Sequence, residues 1–252
     1  MAPLDPDLLL RAYAIGVFPM ADSRNAQEVF WVEPRRRAII PLDKFQVSRS
    51  LRKTIRSGRF TVTRDKAFAA VVAHCAAREE TWINAEIERS FNRMHRLGHA
   101  HSIECWQDEQ LVGGLYGIKL GAAFFGESMF SLRTDASKVA LAWLVARLRV
   151  GGFSLLDCQF MTDHLRSLGA VEISQKDYVS MLSAALAGEG LGAGGGAASG
   201  VGVGAGDAFG AGLERRGAEF GALERLLAAD PSRTVDAAAS GCVIAQLLAQ
   251  TS

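Results

Sequence analysis

The sequence predicts an α+β protein in which helices pack against a mixed β-sheet, and two observations lead to this prediction. Residues 101–131 alternate in short apolar runs separated by turn residues, which is typical of a three-stranded meander. A helical segment at 135–152 then leads into a buried strand at 153–159. Because a strand, a helix and a strand in succession form a crossover, the last strand is expected beside a parallel neighbour.

The segments that precede the meander also have the patterns of helices and short strands. Asp5 or Asp7 is placed to cap the first of these helices and Asn84 to cap another, since both residue types accept hydrogen bonds from free helical N–H groups. In chain order, the pattern predicts a helix from Asp5 to Gly16, strand-like runs at 38–48 and 59–65, and helices at 66–77 and 84–98.

Composition divides the chain of 252 residues into three regions. We expect a small N-terminal α/β domain at 1–66, the main sheet domain at 67–186 and a tail at 187–252. Twelve of the 25 positions from 188 to 212 are Gly, so this stretch buries too little apolar surface to offset its ordering entropy. We therefore predict a flexible Gly- and Ala-rich tail with short helices and no chemistry of its own.

Positive charge is concentrated in one segment, although the net charge of the chain is only +1. Residues 33–66 hold eleven Lys and Arg side chains against three Asp and Glu side chains. Such a surface suits a phosphate-rich partner such as nucleic acid. The alternative is a solvated face that balances acidic regions elsewhere in the protein.

The Cys and His residues do not form a metal-binding pattern. The four cysteines are scattered without a Cys-x-x-Cys pair, which also argues against a disulfide framework. His95, His99 and His101 lie close in sequence, but no acidic or Cys partner accompanies them at a fixed offset. We therefore expect neither a metal site nor disulfides.

The sequence carries no membrane or export signal. No run approaches the roughly 20 consecutive apolar residues that cross a bilayer. The N-terminal residues also lack the basic segment, apolar run and cleavage site of a signal peptide. We expect a cytoplasmic monomer without a membrane partner.

Two polar residues end the apolar strand at 153–159. Asp157 and Gln159 are two positions apart, so in a regular strand they share one face while Cys158 points to the other. Ligands commonly bind at the carboxyl edge of a sheet, where a strand leads into a helix. The pair is therefore a candidate active site. The alternative is a carboxylate that caps the next helix and an amide that contacts a loop carbonyl.

Glu127 lies in an apolar run from Phe124 to Phe130. An unpaired charge is costly to bury, so this carboxylate must be paired or must face a cavity. Gly126 before it permits the close approach of a ligand or of another backbone segment. Glu127 is a candidate site residue, and a structural carboxylate bonded to backbone is the alternative.

Eight short segments in a fixed order carry a resemblance to a known family. They are AYAIGVFPM (12–20), FWVEPRRRAIIP (30–41), ETWIN (80–84), LGHAHSIECW (97–106), LVGGLYGI (111–118), FFGESMFS (124–131), ASKVAL (136–141) and DCQFMTDHLRSLGA (157–170). Together they resemble the leucyl/phenylalanyl-tRNA–protein transferase family. The resemblance covers residues 4 to about 183, and the ordered set makes it specific.

The resemblance implies both a fold and an activity. The fold is an acetyltransferase-like (GNAT-like) domain behind a smaller N-terminal domain. The activity is transfer of Leu or Phe from aminoacyl-tRNA to proteins that begin with Arg or Lys, which marks them for degradation in the N-degron pathway. The family's proposed catalytic pair is an Asp-x-Gln that matches Asp157 and Gln159, and Glu127 is expected beside it.

This activity needs chemistry that the three polar residues are able to provide. The ester in aminoacyl-tRNA is already activated, so we expect no cofactor. An α-amine must be held neutral against the ester carbonyl, and positioning alone contributes on the order of 7–11 kcal/mol in favourable cases. A carboxylate takes up a proton, and an amide orients the amine or polarises the carbonyl. General-base chemistry and positioning are both open for the Asp157 and Gln159 pair, with the 2′-hydroxyl of the terminal adenosine as a further participant.

The substrate-binding residues form three groups. By resemblance, Met20 and Trp82 lie near the terminal adenosine of the tRNA, and Met20 stands where longer members have tryptophan. By resemblance again, the apolar aminoacyl pocket is lined by Leu115, Phe124, Met129, Leu141 and Leu156. The basic segment supplies the expected tRNA contacts, which are Arg35, Arg36, Arg37, Arg49, Arg52, Lys53 and Arg56.

Two other functions fit parts of the sequence. An acyl-CoA acetyltransferase would share the fold, but its Gly-rich phosphate-binding turn is missing from SLRTDASK (131–138), where the helix at 135–152 begins. A non-catalytic RNA-binding protein fits the basic segment. It gives no reason, however, for Glu127, Asp157 and Gln159 to lie among apolar residues.

Overall fold

A seven-stranded mixed sheet forms the centre of the computed structural model, which describes residues 3–187, 217–229 and 237–249. The strands are β1 (Phe18–Met20), β2 (Phe30–Val32), β3 (Arg36–Ile39), β4 (Thr61–Arg64), β5 (Ala100–Gln107), β6 (Gln110–Leu120), β7 (Ala123–Ser131), β8 (Leu155–Gln159) and β9 (Val171–Ser174). The helices are α1 (Pro6–Ala14), α2 (Arg49–Arg56), α3 (Phe68–Ala76), α4 (Ala85–Arg96), α5 (Ala136–Val150), α6 (Asp163–Arg166), α7 (Gln175–Leu186), α8 (Ala222–Ala228) and α9 (Ala237–Ala249).

The large sheet has the strand order β4-β5-β6-β7-β8-β3-β9, and β1 pairs with β2 in a separate two-stranded sheet. The meander of β5, β6 and β7 is confirmed. Neighbouring strands of the large sheet run antiparallel except β7 and β8, where Phe124 lies beside Leu156 in a parallel register. The 15-residue helix α5 makes this crossover, since a tight turn cannot join parallel strands. The parallel neighbour expected for the last apolar strand is therefore confirmed.

Two predicted helix caps are present. The Asp5 side chain accepts hydrogen bonds from the N–H groups of Asp7 and Leu8 at 2.9 and 3.0 Å. The Asn84 side chain accepts one from the N–H of Ile87 at 2.9 Å. These contacts satisfy donors in the first turns of α1 and α4 that have no partner within their helices.

Apolar side chains cover both faces of the sheet. Leu115, Phe124 and Leu156 belong to a core shared with α2, α5, α8 and α9. Their neighbours Tyr116 and Phe125 belong to a second core, shared with α1, α3, α4 and α7. Because successive strand residues point to opposite faces, one short apolar run serves both helical layers. The fold is a mixed sheet between flanking helices, as expected for an α+β protein.

The boundary predicted at residue 66 needs correction. Strands β3 and β4 both precede that residue, yet both belong to the large sheet. The piece outside the sheet is limited to α1, β1 and β2, because pairing with β8 and β9 draws β3 into the main domain.

The end of the chain packs against the main domain. Phe220 is 5% exposed, and its ring stacks on that of Phe124 with centroids 5.4 Å apart. Helix α9 lies against α2 at Gly241, where a Cβ would meet the carbonyl oxygen of Ile55 at 2.0 Å. The short helices expected in the tail are present as α8 and α9, and both pack on the main domain. The Gly-rich stretch itself lies outside the described residues.

Within the described residues, no helix has both the length and the apolar character that a membrane span requires. The same residues contain no group of three His, Cys, Asp or Glu side chains placed to hold a metal ion. Two histidines considered as ligands have other partners. His95 Nδ1 lies 2.8 Å from the carbonyl oxygen of Ala100, and His101 Nδ1 lies 2.9 Å from Asp65 Oδ2.

We expect Phe220→Ala to lower the free energy of unfolding by about 3–5 kcal/mol, because it empties a packed aromatic site. Leu226→Ala is the matched control, since Leu226 lies in the same segment but is 44% exposed. Its effect should stay within about 0.5 kcal/mol. Urea denaturation of both variants measures the difference, and equally small effects would contradict the docking of this segment.

Candidate active site

A cavity of about 700 Å³ lies beside β6, β7, β8 and α5 and is closed by segments that follow α3 and β8. Its lining is mostly apolar. Of the described residues that line the cavity, only Arg78 and Glu127 are of the Lys, Arg, Asp or Glu type. An apolar cavity with few polar groups is the common form of a small-molecule site.

A β-bulge directs Glu127 into the cavity. On β6, Tyr116 pairs with Ser128 and Gly117 pairs with Gly126, so Glu127 is an extra residue without a partner across the strand. Bulges change the direction of a side chain and are frequent beside active sites. The carboxylate thus leaves the alternation of the strand and lines the cavity.

Both described hydrogen bonds to the Glu127 carboxylate reach the same oxygen. The Tyr13 hydroxyl donates to Oε1 over 2.8 Å, and Gln159 Nε2 donates to it over 3.0 Å. Oε2 is buried and has no hydrogen-bond partner among the described residues. Within the described residues, Oε2 is therefore an unsatisfied buried acceptor beside the cavity.

Burial makes Glu127 a weak acid. It raises the pKa of Glu127 to about 8, and the opposing hydrogen bond from Tyr13 does not compensate. Burial also raises the pKa of Tyr13 well above its ordinary value, with the Glu127 charge as a further cause. Tyr13 consequently stays protonated and remains a donor. A carboxyl group that titrates near pH 8 is suited to exchange protons with an amine.

A second buried carboxylate, Asp157, is held by Arg37. Arg37 Nε and Nη2 donate to its two oxygens over 2.9 and 2.6 Å, and the side chains of Arg37 and Asp157 are 1% and 0% exposed. The Tyr178 hydroxyl and the backbone N–H of Gln159 add hydrogen bonds to Asp157 at 2.8 and 2.9 Å. Arg37 Nη1 donates to the carbonyl oxygen of Gly16 over 2.8 Å. Every oxygen of Asp157 is therefore occupied.

This arrangement corrects the expectation that Asp157 and Gln159 face a substrate side by side. Strand β8 bulges at Cys158, since Asp157 lies opposite Ile39 while Gln159 lies opposite Ala38. Gln159 also has a left-handed backbone with φ of 56°. Gln159 lines the cavity and Asp157 does not. The Asp157 carboxylate accepts a hydrogen bond from the backbone N–H of Gln159, and its part in the reaction stays a prediction.

Four of the five residues expected to form the apolar pocket line this cavity. They are Leu115, Met129, Leu141 and Leu156. Phe124 is corrected from pocket lining to core packing. Its ring is fully buried beneath the stacked ring of Phe220, so it has no surface toward the cavity.

Met20 and Trp82, which the resemblance places near the terminal adenosine, both lie at the cavity. Both side chains line it. The backbone N–H of Ala21 donates to the carbonyl oxygen of Trp82 over 3.1 Å, which joins the end of β1 to the loop before α4. Their contact with a terminal adenosine stays a prediction.

Comparison with known proteins identifies the family. Residues 39–183 match the family described as leucyl/phenylalanyl-tRNA protein transferase, and residues 2–35 match its N-terminal domain. The chain belongs to this family. A leucyl/phenylalanyl-tRNA–protein transferase of Rhizorhabdus wittichii is 62% identical over 256 aligned residues that cover all of both chains. One of Zymomonas mobilis is 61% identical over 187 residues, or 73% of this chain and 70% of the relative.

Solved structures with a related shape are more distant. FemX superposes with a TM-score of 0.45 at 11% identity, covering 67% of this chain and 66% of its own. The structure of L-PGS from Bacillus licheniformis superposes with a TM-score of 0.35 at 12% identity, covering 62% and 53%.

Six of the seven basic residues expected to bind tRNA are exposed. They are Arg35, Arg36, Arg49, Arg52, Lys53 and Arg56, of which the last four form a basic surface on α2. Arg37 is corrected, since its guanidinium is buried and bonded to Asp157 and Gly16. A buried guanidinium of this kind has no surface to offer a phosphate. Phosphate contact by the other six stays a prediction.

Sequence patterns did not indicate the two tyrosines of the site. Tyr13 has the spacing of an apolar helix face in α1, and Tyr178 lies on α7, which follows the candidate motif. The sequence did indicate that Asp157 has a cationic partner, since a carboxylate buried in a strand needs one. The sequence does not indicate, however, which of the arginines is that partner.

We expect Arg37→Ala to lower the free energy of unfolding by about 3–5 kcal/mol, because it leaves the buried Asp157 charge unpaired. Arg36→Ala is the matched control, since this neighbouring arginine forms an exposed pair with Glu172 that contributes at most about 1 kcal/mol. Urea denaturation measures both changes. A stable Arg37→Ala protein that has lost only tRNA affinity would restore the phosphate-contact role.

Proposed function

We propose that this chain transfers a leucyl or phenylalanyl group from aminoacyl-tRNA to the N-terminus of a protein. Membership of the leucyl/phenylalanyl-tRNA–protein transferase family supports the proposal. The observation in the structure that carries it is an apolar cavity into which one carboxyl group and one amide project, those of Glu127 and Gln159. An apolar cavity suits the side chain of Leu or Phe, and the two polar groups suit an amine.

In the proposed reaction, the α-amine nitrogen of the acceptor attacks the ester carbonyl carbon. A peptide bond forms, the bond from that carbon to the ribose oxygen breaks, and the amine proton must reach the departing oxygen. Glu127 Oε2 accepts the proton and returns it to the ribose oxygen, so the carboxylate ends as it began. Gln159, hydrogen-bonded to Glu127 at 3.0 Å, helps to orient the amine.

The finer features of the family belong to the same proposal. An acceptor that begins with Arg or Lys is favoured, because its basic side chain suits Glu127, the one Asp or Glu residue in the described lining of the cavity. The acetyltransferase-like arrangement is supported by the parallel pair of β7 and β8 beside the cavity. A monomer that acts in the cytoplasm and feeds the N-degron pathway completes the proposal, since aminoacyl-tRNA is a cytoplasmic substrate.

One incubation distinguishes this function from its two alternatives. The protein is mixed with labelled leucyl-tRNA, labelled acetyl-CoA and a peptide that begins with Arg. We expect leucyl-peptide as the only product. Acetyl-peptide would establish an acetyltransferase, and tRNA binding without any product would establish an RNA-binding protein.

Glu127→Gln should change the pH dependence of transfer. The acceptor α-amine has an ordinary pKa near 8, and the pKa of Glu127 is raised to about 8. Both groups must lose a proton, so log kcat/KM of the wild type should rise with pH at a slope of about 2 below pH ~7 and level off above pH ~9. The variant keeps only the amine titration, so its slope should fall to about 1, with a rate loss of roughly 10²–10⁴-fold.

The measurement is the initial rate of transfer to an Arg-starting peptide at low acceptor concentration across this pH range. Glu28→Gln is the matched control, because it removes an exposed carboxylate that does not line the cavity. A slope of about 1 in the wild type itself would remove Glu127 from the proton path.

A further inference from the structure

Arg78 stands out at the edge of the cavity as a cation without a carboxylate partner. Its side chain lines the cavity and is exposed. Within the described part of the chain, no Asp or Glu side chain lies within ion-pair distance of it, including Glu79 and Glu80, which follow it directly. An unpaired guanidinium that faces a ligand cavity is a candidate for binding an anion.

Two hydrogen bonds hold the Arg78 side chain in place. Nη2 donates to Ser128 Oγ over 2.9 Å, and Nε donates to the carbonyl oxygen of Cys75 over 3.3 Å. Among the described residues, Nη1 has no hydrogen-bond partner. Ser128 directly follows Glu127 on β7, so the guanidinium is tied to the strand that carries the site carboxylate. The Arg78 guanidinium is therefore held in one orientation, and within the described ranges its Nη1 group is free to donate to a ligand.

The charges of the two substrates decide which of them Arg78 meets. This step rests on the proposed function. The acceptor brings an amine and a cationic side chain, both of which a guanidinium repels. The donor is anionic through its phosphodiesters, and the phosphate nearest to the reacting ester is the 5′-phosphate of the terminal adenosine, one ribose away.

The position of Arg78 agrees with the donor side of the cavity. Ala77, Arg78 and Trp82 line one wall, and Trp82 is joined through the Ala21 backbone to the strand that ends at Met20. Trp82, proposed for the terminal adenosine, thus lies on the same short segment as Arg78, and Met20, the second residue proposed for it, lies beside that segment. A phosphate attached to that nucleoside lies within reach of a side chain as long as arginine.

We propose that Arg78 binds the 5′-phosphate of the tRNA's terminal adenosine. Arg78 then marks the donor side of the cavity, while Glu127 marks the acceptor side. Because the guanidinium donates a charge-assisted hydrogen bond to a phosphate oxygen, it contributes about 10- to 100-fold to donor affinity.

The test uses two stable probes that need no turnover. Both are the leucyl amide of 3′-amino-3′-deoxyadenosine, one with a free 5′-hydroxyl and the other with a 5′-phosphate. Direct titration gives the affinity of each probe for the wild type, Arg78→Ala, Arg78→Lys and Arg93→Ala. Arg93 is the matched control, since it is exposed on α4 and does not line the cavity.

We expect the wild type and Arg93→Ala to bind the phosphorylated probe about 10- to 100-fold more tightly than the other probe. In Arg78→Ala this ratio should fall to about 1, because only the phosphate contact is lost. Arg78→Lys should retain part of the ratio, since lysine keeps the charge but not the fixed donor geometry.

Two results would overturn the assignment in separate ways. Binding of both probes with an unchanged ratio in Arg78→Ala, or with a ratio near 1 in the wild type, contradicts the role of Arg78 alone. Failure of the wild type to bind either probe, together with no transfer from leucyl-tRNA, contradicts the proposed function itself.

Discussion

The buried ion pair between Arg37 and Asp157 is the interaction on which the rest of the site depends. Desolvation makes such a pair costly, and its geometry compensates because it is bidentate and its remaining polar groups are bonded to Tyr178 and Gly16. The rings of Phe18 and Tyr178 flank the guanidinium at 4.7 and 4.4 Å. The pair joins β3, β8, α7 and the segment after α1, so it fixes the base of the cavity.

Two carboxylates close to each other have different surroundings, which suits them to the different roles that we propose. Asp157 has an arginine partner and no vacant oxygen, and it holds the backbone of Gln159. Glu127 has no cationic partner among the described ion pairs, and burial raises its pKa to about 8. Environments that separate the acidities of two carboxyl groups are the usual way to divide positioning from proton transfer. Bulges in β7 and β8 create this difference by turning Glu127 and Gln159 toward the cavity.

Charge also divides the cavity between its two proposed substrates. Arg78 donates a hydrogen bond to the hydroxyl of Ser128, and Glu127 directly precedes Ser128 in the chain. In the proposed function, the anionic donor lies toward Arg78 and the acceptor amine toward Glu127, so that the ester and the amine meet between them.

Sequence by itself predicted the meander, the helices α1, α3, α4 and α5, the family, and four of the five apolar pocket residues. Apolar periodicity, Asp5 and Asn84 specified the helices and the meander, because these signals act between residues near in sequence. Only the tertiary structure decided that Arg37 is buried, that Phe124 lies beneath the end of the chain, and that Asp157 faces away from the cavity. The reason is physical, since charge counts do not separate exposed from buried arginines, and a bulge cancels the two-residue alternation from which side-chain directions are inferred.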